Sequence, residues 1–277
     1  LHYLLGRAYL ALEKPSKAAE ELARAWKAKT GVQEIAFAYA QALVLRYFEE
    51  ARQKDRIPRR EWREKKAAEL KERYLRKAEE VLQRAPGSAH SGGVLAQSFL
   101  AAAREDWASA AASALQAFEA NRLNLSALLL VGEAMSRLAS AAWESGEWGP
   151  ATEYTQQATD AFATVLRLAP SNPLAALGLA KARLAAAQVA KDQGRDPRQY
   201  YRESLDYSDL ALRLDSQMGE AHVFAAFALL GLGDYLVRRG QTMPREIVEA
   251  ISRHALALEG QPRWAGEAES YLGTALH

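Results

Sequence analysis

The chain has 277 residues, 49% of them hydrophobic, and its 36 basic and 34 acidic residues leave a formal net charge of +2. That balance excludes whole-chain attraction to nucleic acid or to an anionic membrane as the basis of function. The absence of cysteine excludes disulfides and thiolate metal sites.

Long stretches rich in Ala, Leu, Glu and Arg, without runs of Val, Ile and Thr at period two, predict an almost wholly helical chain. No apolar run reads as a membrane span, no leader-like start is present, and Leu1 in place of Met reads as the start of an excerpt. In residues 1–26, Leu5, Gly6 and Tyr9 place a large, a small and an aromatic residue on one helix. Ala18, Leu22 and Ala25 place small, large and small residues on the next. Pro15 falls at the first turn of that second helix, where its missing N–H costs nothing. Gly6 and Ala18 suit a close crossing, since helix axes approach to about 8–10 Å only where no large side chain intervenes.

A further helix is expected at about 33–55. It leads into a charged segment in which nine basic residues between Arg46 and Lys66 face five acidic ones, with Pro58 as the expected break before a long helix. The segment reads as a basic docking surface for nucleic acid or an acidic partner, or as an overhanging hairpin whose charges pair at helical spacing. The interleaved acids favour the hairpin, and only Trp62 and Tyr74 could stack on a base. The pair of helices at 89–120 ends in the triplet Ala110, Ala114 and Ala117. Its first helix has Ser98 and Ala101 at the spacing at which the opening has Gly6 and Tyr9.

The triplet returns as Ala158, Phe162 and Val165, then as Ser204, Ser208 and Ala211, and Ala255–Glu259 repeats Ala211–Asp215. RLAPSNPLAALGLA at 167–180 realigns with RLDSQMGEAHVFAA at 213–226. These repeats are longer than the usual length of about 34 residues. The excess falls at 138–153, 184–200 and 230–244, each punctuated by Gly or Pro, which predicts lengthened helices with a loop at each tip. Tyr271-Leu272-Gly273 echoes Leu4-Leu5-Gly6, so another first helix is expected at the end.

These patterns resemble the tetratricopeptide repeat. The resemblance implies an all-α, right-handed α-solenoid of about six helical hairpins, a single domain over 1–277 with a charged extended hairpin at 46–77 and long-helix repeats at 122–277. Taken in order, the opening LHYLLGRAYLALEKPSKAAEELARAW, the charged insert ALVLRYFEEARQKDRIPRREWREKKAAELKERYLRKAEEVL, and the tips SGEWGPATEY and KDQGRDPRQYY are similar to the region C-terminal to the kinase domain of bacterial serine/threonine protein kinases. That implies a regulatory or sensor region, reaching a membrane only through a segment outside this chain and leaving open which side it lies on.

The chain carries no glycine-rich phosphate loop, no Lys in a Val-Ala-Ile-Lys context, no His-Arg-Asp and no Asp-Phe-Gly, so it is expected not to be an enzyme and to need no cofactor. His2, His90, His222, His254 and His277 are scattered without ligand spacing, and no metal site is expected. What remains is a binding surface. In the tetratricopeptide family the first helices line a concave groove, and counting from each small anchor points Tyr3, Arg7, Leu10 and Ala11 inward, then Phe37, Gln41, Val44 and Leu45. Leu129, Glu133, Ser136 and Arg137 follow, and then Ala175, Leu179, Ala182 and Arg183. The candidate contacts are therefore Tyr3, Arg7, Phe37, Gln41, Glu133, Arg137 and Arg183, without the Lys and Asn set that clamps a peptide carboxylate.

The expected function is a non-catalytic protein–protein interaction scaffold with a protein or peptide ligand and no specific nucleic acid. The alternatives are a helical-repeat nucleic-acid scaffold using 52–77 and a free-standing assembly adaptor. Apolar faces at both ends, with Leu4, Leu5 and Tyr9 at one and Trp264, Tyr271, Leu272 and Leu276 at the other, are expected to favour self-association.

Overall fold

The computed structural model describes residues 1–12, 14–29, 31–54, 59–85, 91–259 and 270. The expected break at Pro58, and His90, Trp264, Tyr271, Leu272, Gly273, Leu276 and His277, lie outside them. Among the described residues the regular structure is helical, without strand. The chain divides into two compact units, Leu1–Leu130 and Val131–His277.

The first unit contains α1 (His2–Ala11), α2 (Pro15–Ala28), α3 (Gln33–Lys54), α4 (Arg60–Leu70), α5 (Lys77–Gln83), α6 (Ser91–Ala103) and α7 (Trp107–Ala120). α1 packs on α2, α2 on α3, α3 on α6 and α6 on α7. The crossing at Gly6 is close: a Cβ there would lie 2.4 Å from Cγ of Leu22. The helix expected after 58 runs from Arg60 to Gln83 as α4 and α5, joined by a π-helical turn, Lys71–Arg76. A π turn holds more residues than an α turn and shifts the phase of the buried face. The adjacent residues Tyr74 and Leu75 can therefore both be buried, in line with Leu70 and Ala78, against α3.

α8 (Leu125–Glu144) begins in the first unit and continues into the second, which holds α9 (Trp148–Leu168), α10 (Pro173–Asp192), α11 (Arg198–Leu214), α12 (Gly219–Arg238) and α13 (Arg245–Glu259). α9 packs on α10, α10 on α11, α11 on α12 and α12 on α13, while α10 and α12 also touch side by side. The small–large–small triplets of both units occupy the innermost positions. Ala18, Leu22, Ala110, Ala114, Ala117, Ala158, Val165, Ser204, Ser208 and Ala211 have no accessible surface. Phe162 is the wedge of the second unit, because a Cβ at Gly132 of α8 or at Gly178 of α10 would lie 2.6 or 2.4 Å from its ring. Ser98 is also fully buried, and its Oγ donates to the Leu95 carbonyl at 2.6 Å, so a hydroxyl is satisfied by its own helix where the opening has Gly6.

The lengthened helices are present: α8, α9, α10 and α12 have 20 or 21 residues. Their tips share one construction. The N–H of Gly146 donates to Trp143 O and that of Glu147 to Ala142 O, at 3.0 and 2.8 Å. Gly194 with Arg195 and Gly240 with Gln241 make the same pair of bonds. All three glycines sit at φ between 71 and 76°, the left-handed geometry that this helix ending requires. α6 ends the same way with Glu105 at φ 64°, a residue that carries the Cβ penalty. α8 and α12 each reach a mean hydropathy of 1.3, in the range of a membrane span, which the composition did not lead one to expect. In α12 part of that apolarity serves the fold: Val223, Ala226 and Leu229 join Ile247, Ile251, Ala255 and Leu258 of α13 in one core.

Candidate functional site

The candidate contacts fall on four helices. In the first unit Arg7 donates through its guanidinium to the Tyr3 hydroxyl at 3.2 Å, one turn apart on the exposed face of α1. Phe37 is only 6% exposed, and a Cβ at Gly92 would meet its ring at 3.1 Å, so it fills the contact between α3 and α6. Gln41, one turn on, is half-buried. Val44, Ala175, Leu179 and Ala182, also counted as inward, are buried as well. Of the other apolar positions counted as inward, Leu10, Leu45 and Leu129 are half-buried and Ala11 is exposed, so burial there follows the packing of each helix and not the count alone.

In the second unit Glu133 and Arg137 form an ion pair at 2.9 Å along α8, with Arg137 well exposed. Arg183 of α10 reaches α11, where its Nε lies 2.9 Å from Glu203 Oε2. Both atoms are buried and not aligned as a hydrogen bond, so the contact is an ion pair within one hairpin. The structure pairs Tyr3 with Arg7 along α1 and Glu133 with Arg137 along α8, whereas Arg183 turns to Glu203, which was not among the candidates.

Sequence reasoning missed the links that tie the first helices of successive hairpins together. Trp143 Nε1 of α8 donates to Asp192 of α10 at 2.8 Å. Lys181 of α10 pairs with Glu220 of α12 at 2.6 Å and lies 5.3 Å from the centre of the Phe224 ring. Lys191 of α10 stands 3.9 Å from Asp234 of α12. Phe227 is 42% exposed beside Phe224, with ring centres 6.2 Å apart. α10 and α12 thus present a lane of alternating charge with exposed aromatic surface. The available signal was the 46-residue offset that realigns 167–180 with 213–226, because it makes α10 and α12 the first helices of successive repeats, which lie side by side.

A second cluster was also missed. His222 of α12 and His254 of α13 bring their Nδ1 atoms to 3.0 Å across the helix contact. They line a cleft of about 240 Å³ with Leu205, Asp209, Ala250 and Arg253. Burial holds the His254 imidazole down at about 4, with the His222 and Arg253 charges adding to it, and burial lowers His222 against the pull of Asp209. Among the described residues no three His, Asp or Glu side chains are grouped to hold a metal ion.

In the charged hairpin the Tyr74 hydroxyl donates to Glu50 Oε1 at 2.5 Å, and Arg46 Nε stands 3.3 Å from the same oxygen. Burial raises Glu50, but the hydrogen bonds from Tyr74 and Arg46 and the charges of Arg46 and Arg73 outweigh it and hold the carboxyl below its ordinary value. This network fastens the π turn to α3. Its basic groups are used within the fold.

Helical hairpins stacked through small–large–small crossings define an all-α protein of tetratricopeptide-like repeats. No protein-family model matches the chain, and no curated protein matches it. Solved structures do resemble it. PilF of Pseudomonas aeruginosa is 16% identical over 99% of this chain and 96% of its own, with a TM-score of 0.49. The TPR2AB domain of yeast Sti1, solved in complex with pHSP90, is 13% identical over 100% of this chain and 97% of its own, with a TM-score of 0.33. Yeast Tom70 is 10% identical over 99% and 84%, with a TM-score of 0.18.

Proposed function

We propose that this chain is a non-catalytic protein-binding scaffold that takes a peptide or protein segment along the first helices of its hairpins, in the second unit above all. The observation that supports this is the lane on α10 and α12, where Lys181, Glu220, Lys191 and Asp234 flank the exposed ring of Phe227. An exposed aromatic among paired charges suits a partner that offers an apolar anchor and complementary charge on either side. Arg137 and Glu133 on α8 extend the same chemistry, and Arg7 with Tyr3 and Gln41 are the corresponding polar groups of the first unit. A selection of displayed peptides on the full chain tests this. Enriched peptides are expected to bind the protein and to lose at least tenfold in affinity on Phe227→Ser, whose side chain is already exposed. Equal binding to that variant, or no enrichment over an unrelated helical protein, removes the reading.

The finer reading, also proposed, is that the scaffold serves as the regulatory region of a bacterial serine/threonine kinase. The order of opening hairpin, charged insert and long-helix repeats supports it. Determination of the coding sequence upstream of Leu1 tests it, with a kinase motif set as the expected result. An unrelated domain there, or none, leaves the scaffold role without the kinase.

A further inference from the structure

We propose that the His222–His254 contact is an acid-sensitive latch, which holds α13 on α12 near neutral pH and releases it when the solution is acidified. The two Nδ1 atoms approach to 3.0 Å, a distance that admits one hydrogen between them. At neutral pH one ring donates and the other accepts, so the contact needs two neutral imidazoles of complementary tautomer. Once both Nδ1 atoms carry hydrogen neither can accept, and two positive rings face each other with centres 5.3 Å apart.

The surroundings add little relief. From α11, Asp209 faces His222, and Arg213 and Asp206 flank Asp209; from α13, Arg253 acts on both Asp209 and His254. From α10, Lys181 holds Glu220, two residues before His222, in its own ion pair. Asp209 favours the charged form of His222, and its own charge is shared with Arg213 and Arg253.

The direction follows from proton linkage. His254 falls from 6.5 to about 4 in the docked state, so the undocked state binds more protons as the pH drops. The docking contribution is present above pH 6.5 and is lost progressively between there and about 4, with His222 acting in the same sense. Asp209 acts in the opposite sense, because burial raises its carboxyl above 3.8, and it offsets part of the loss at the acid end. Release of α13 uncovers Val223, Ala226 and Leu229 on α12, an apolar strip suited to another helix.

Hydrogen exchange of the full chain at about pH 7.5 and about pH 5, corrected for intrinsic exchange, tests the latch. The opening constant of 245–259 is expected to rise by about 30-fold from His254 alone, while α10 keeps its protection. The paired substitution H222F with H254F is expected to abolish the rise. Unchanged protection of 245–259 at the lower pH overturns the proposal, as does an acid loss that persists in the paired variant. A parallel loss in α10 and α11 overturns it too, since that is global unfolding. If the paired variant does not fold, the comparison of α13 with α10 in the unaltered protein decides alone.

Discussion

Glu105 and Gly146 occupy equivalent places at the ends of α6 and α8, with matching pairs of backbone hydrogen bonds, yet only one of them lacks a Cβ. A left-handed residue other than glycine costs about 1–2 kcal/mol, part of which glycine returns through the greater freedom of its unfolded chain. Glu105→Gly is therefore expected to stabilise the protein by about 0.5–1 kcal/mol, and Gly146→Ala to destabilise it by about 1 kcal/mol. Urea unfolding measures both, and a loss of stability in Glu105→Gly refutes the assignment. The glycines at the tips were legible in the sequence as punctuation. Glu105 was not, because nothing in its side chain signals a positive φ; the hydrogen bonds of its neighbours impose it. The His222–His254 pair was hidden for a related reason: 32 residues separate the rings, and only the stacking of α13 on α12 closes the distance.

At the scale of elements, Phe162 of α9 shows how a sequence pattern becomes a contact. It is the large residue between Ala158 and Val165, and its ring fills the space left by Gly132 on one neighbouring helix and Gly178 on the other. A leucine at Gly178 has no free volume, since even a Cβ would stand 2.4 Å from that ring. Gly178→Leu is expected to cost about 1–3 kcal/mol by overpacking, and Phe162→Ala about 3–5 kcal/mol by opening a cavity between two helix pairs. An unchanged melting temperature in both variants contradicts this register. The triplets carried this part of the fold in plain view, because small and large residues at helical spacing have few other uses. The π turn at Lys71–Arg76 was not visible, since its residues suit an α-helix equally well, and its phase shift is set by packing on α3. The same limit applied to the groove: counting from the anchors pointed to Arg7, Arg137 and Arg183, but could not tell that Arg183 turns to Glu203 or that Phe37 is covered by α6.

Over the whole molecule, charge and apolar surface set what the protein binds without a specific site. Six acidic residues lie among the eight basic ones of 60–83, and part of the basic charge is held within the fold: Arg60 pairs with Glu64, Lys66 with Glu69, and Arg76 with Glu72 and Glu80, while Arg73 lies over the Tyr74 ring and Lys77 over that of Tyr39. Single-stranded RNA is therefore expected to bind no tighter than the usual non-specific range of about 10⁻⁴–10⁻⁶ M at physiological salt, a limit that a filter-binding titration checks. The apolar surface makes a stronger demand. Leu1, Leu4, Leu5, Ala8 and Leu12 are all exposed and follow helical spacing along α1, on a different side from the Gly6 face that meets Leu22. A stripe of this kind lowers its free energy by covering itself, and a second copy offers the same stripe. Sedimentation velocity of the unaltered protein is expected to show an association that grows with concentration. Leu4→Gln combined with Leu12→Gln is expected to suppress it while changing stability by less than about 0.5 kcal/mol, because neither side chain is buried in the fold. A protein that stays monomeric at its highest soluble concentration, or a double variant that associates as before, shows that α1 does not drive self-association.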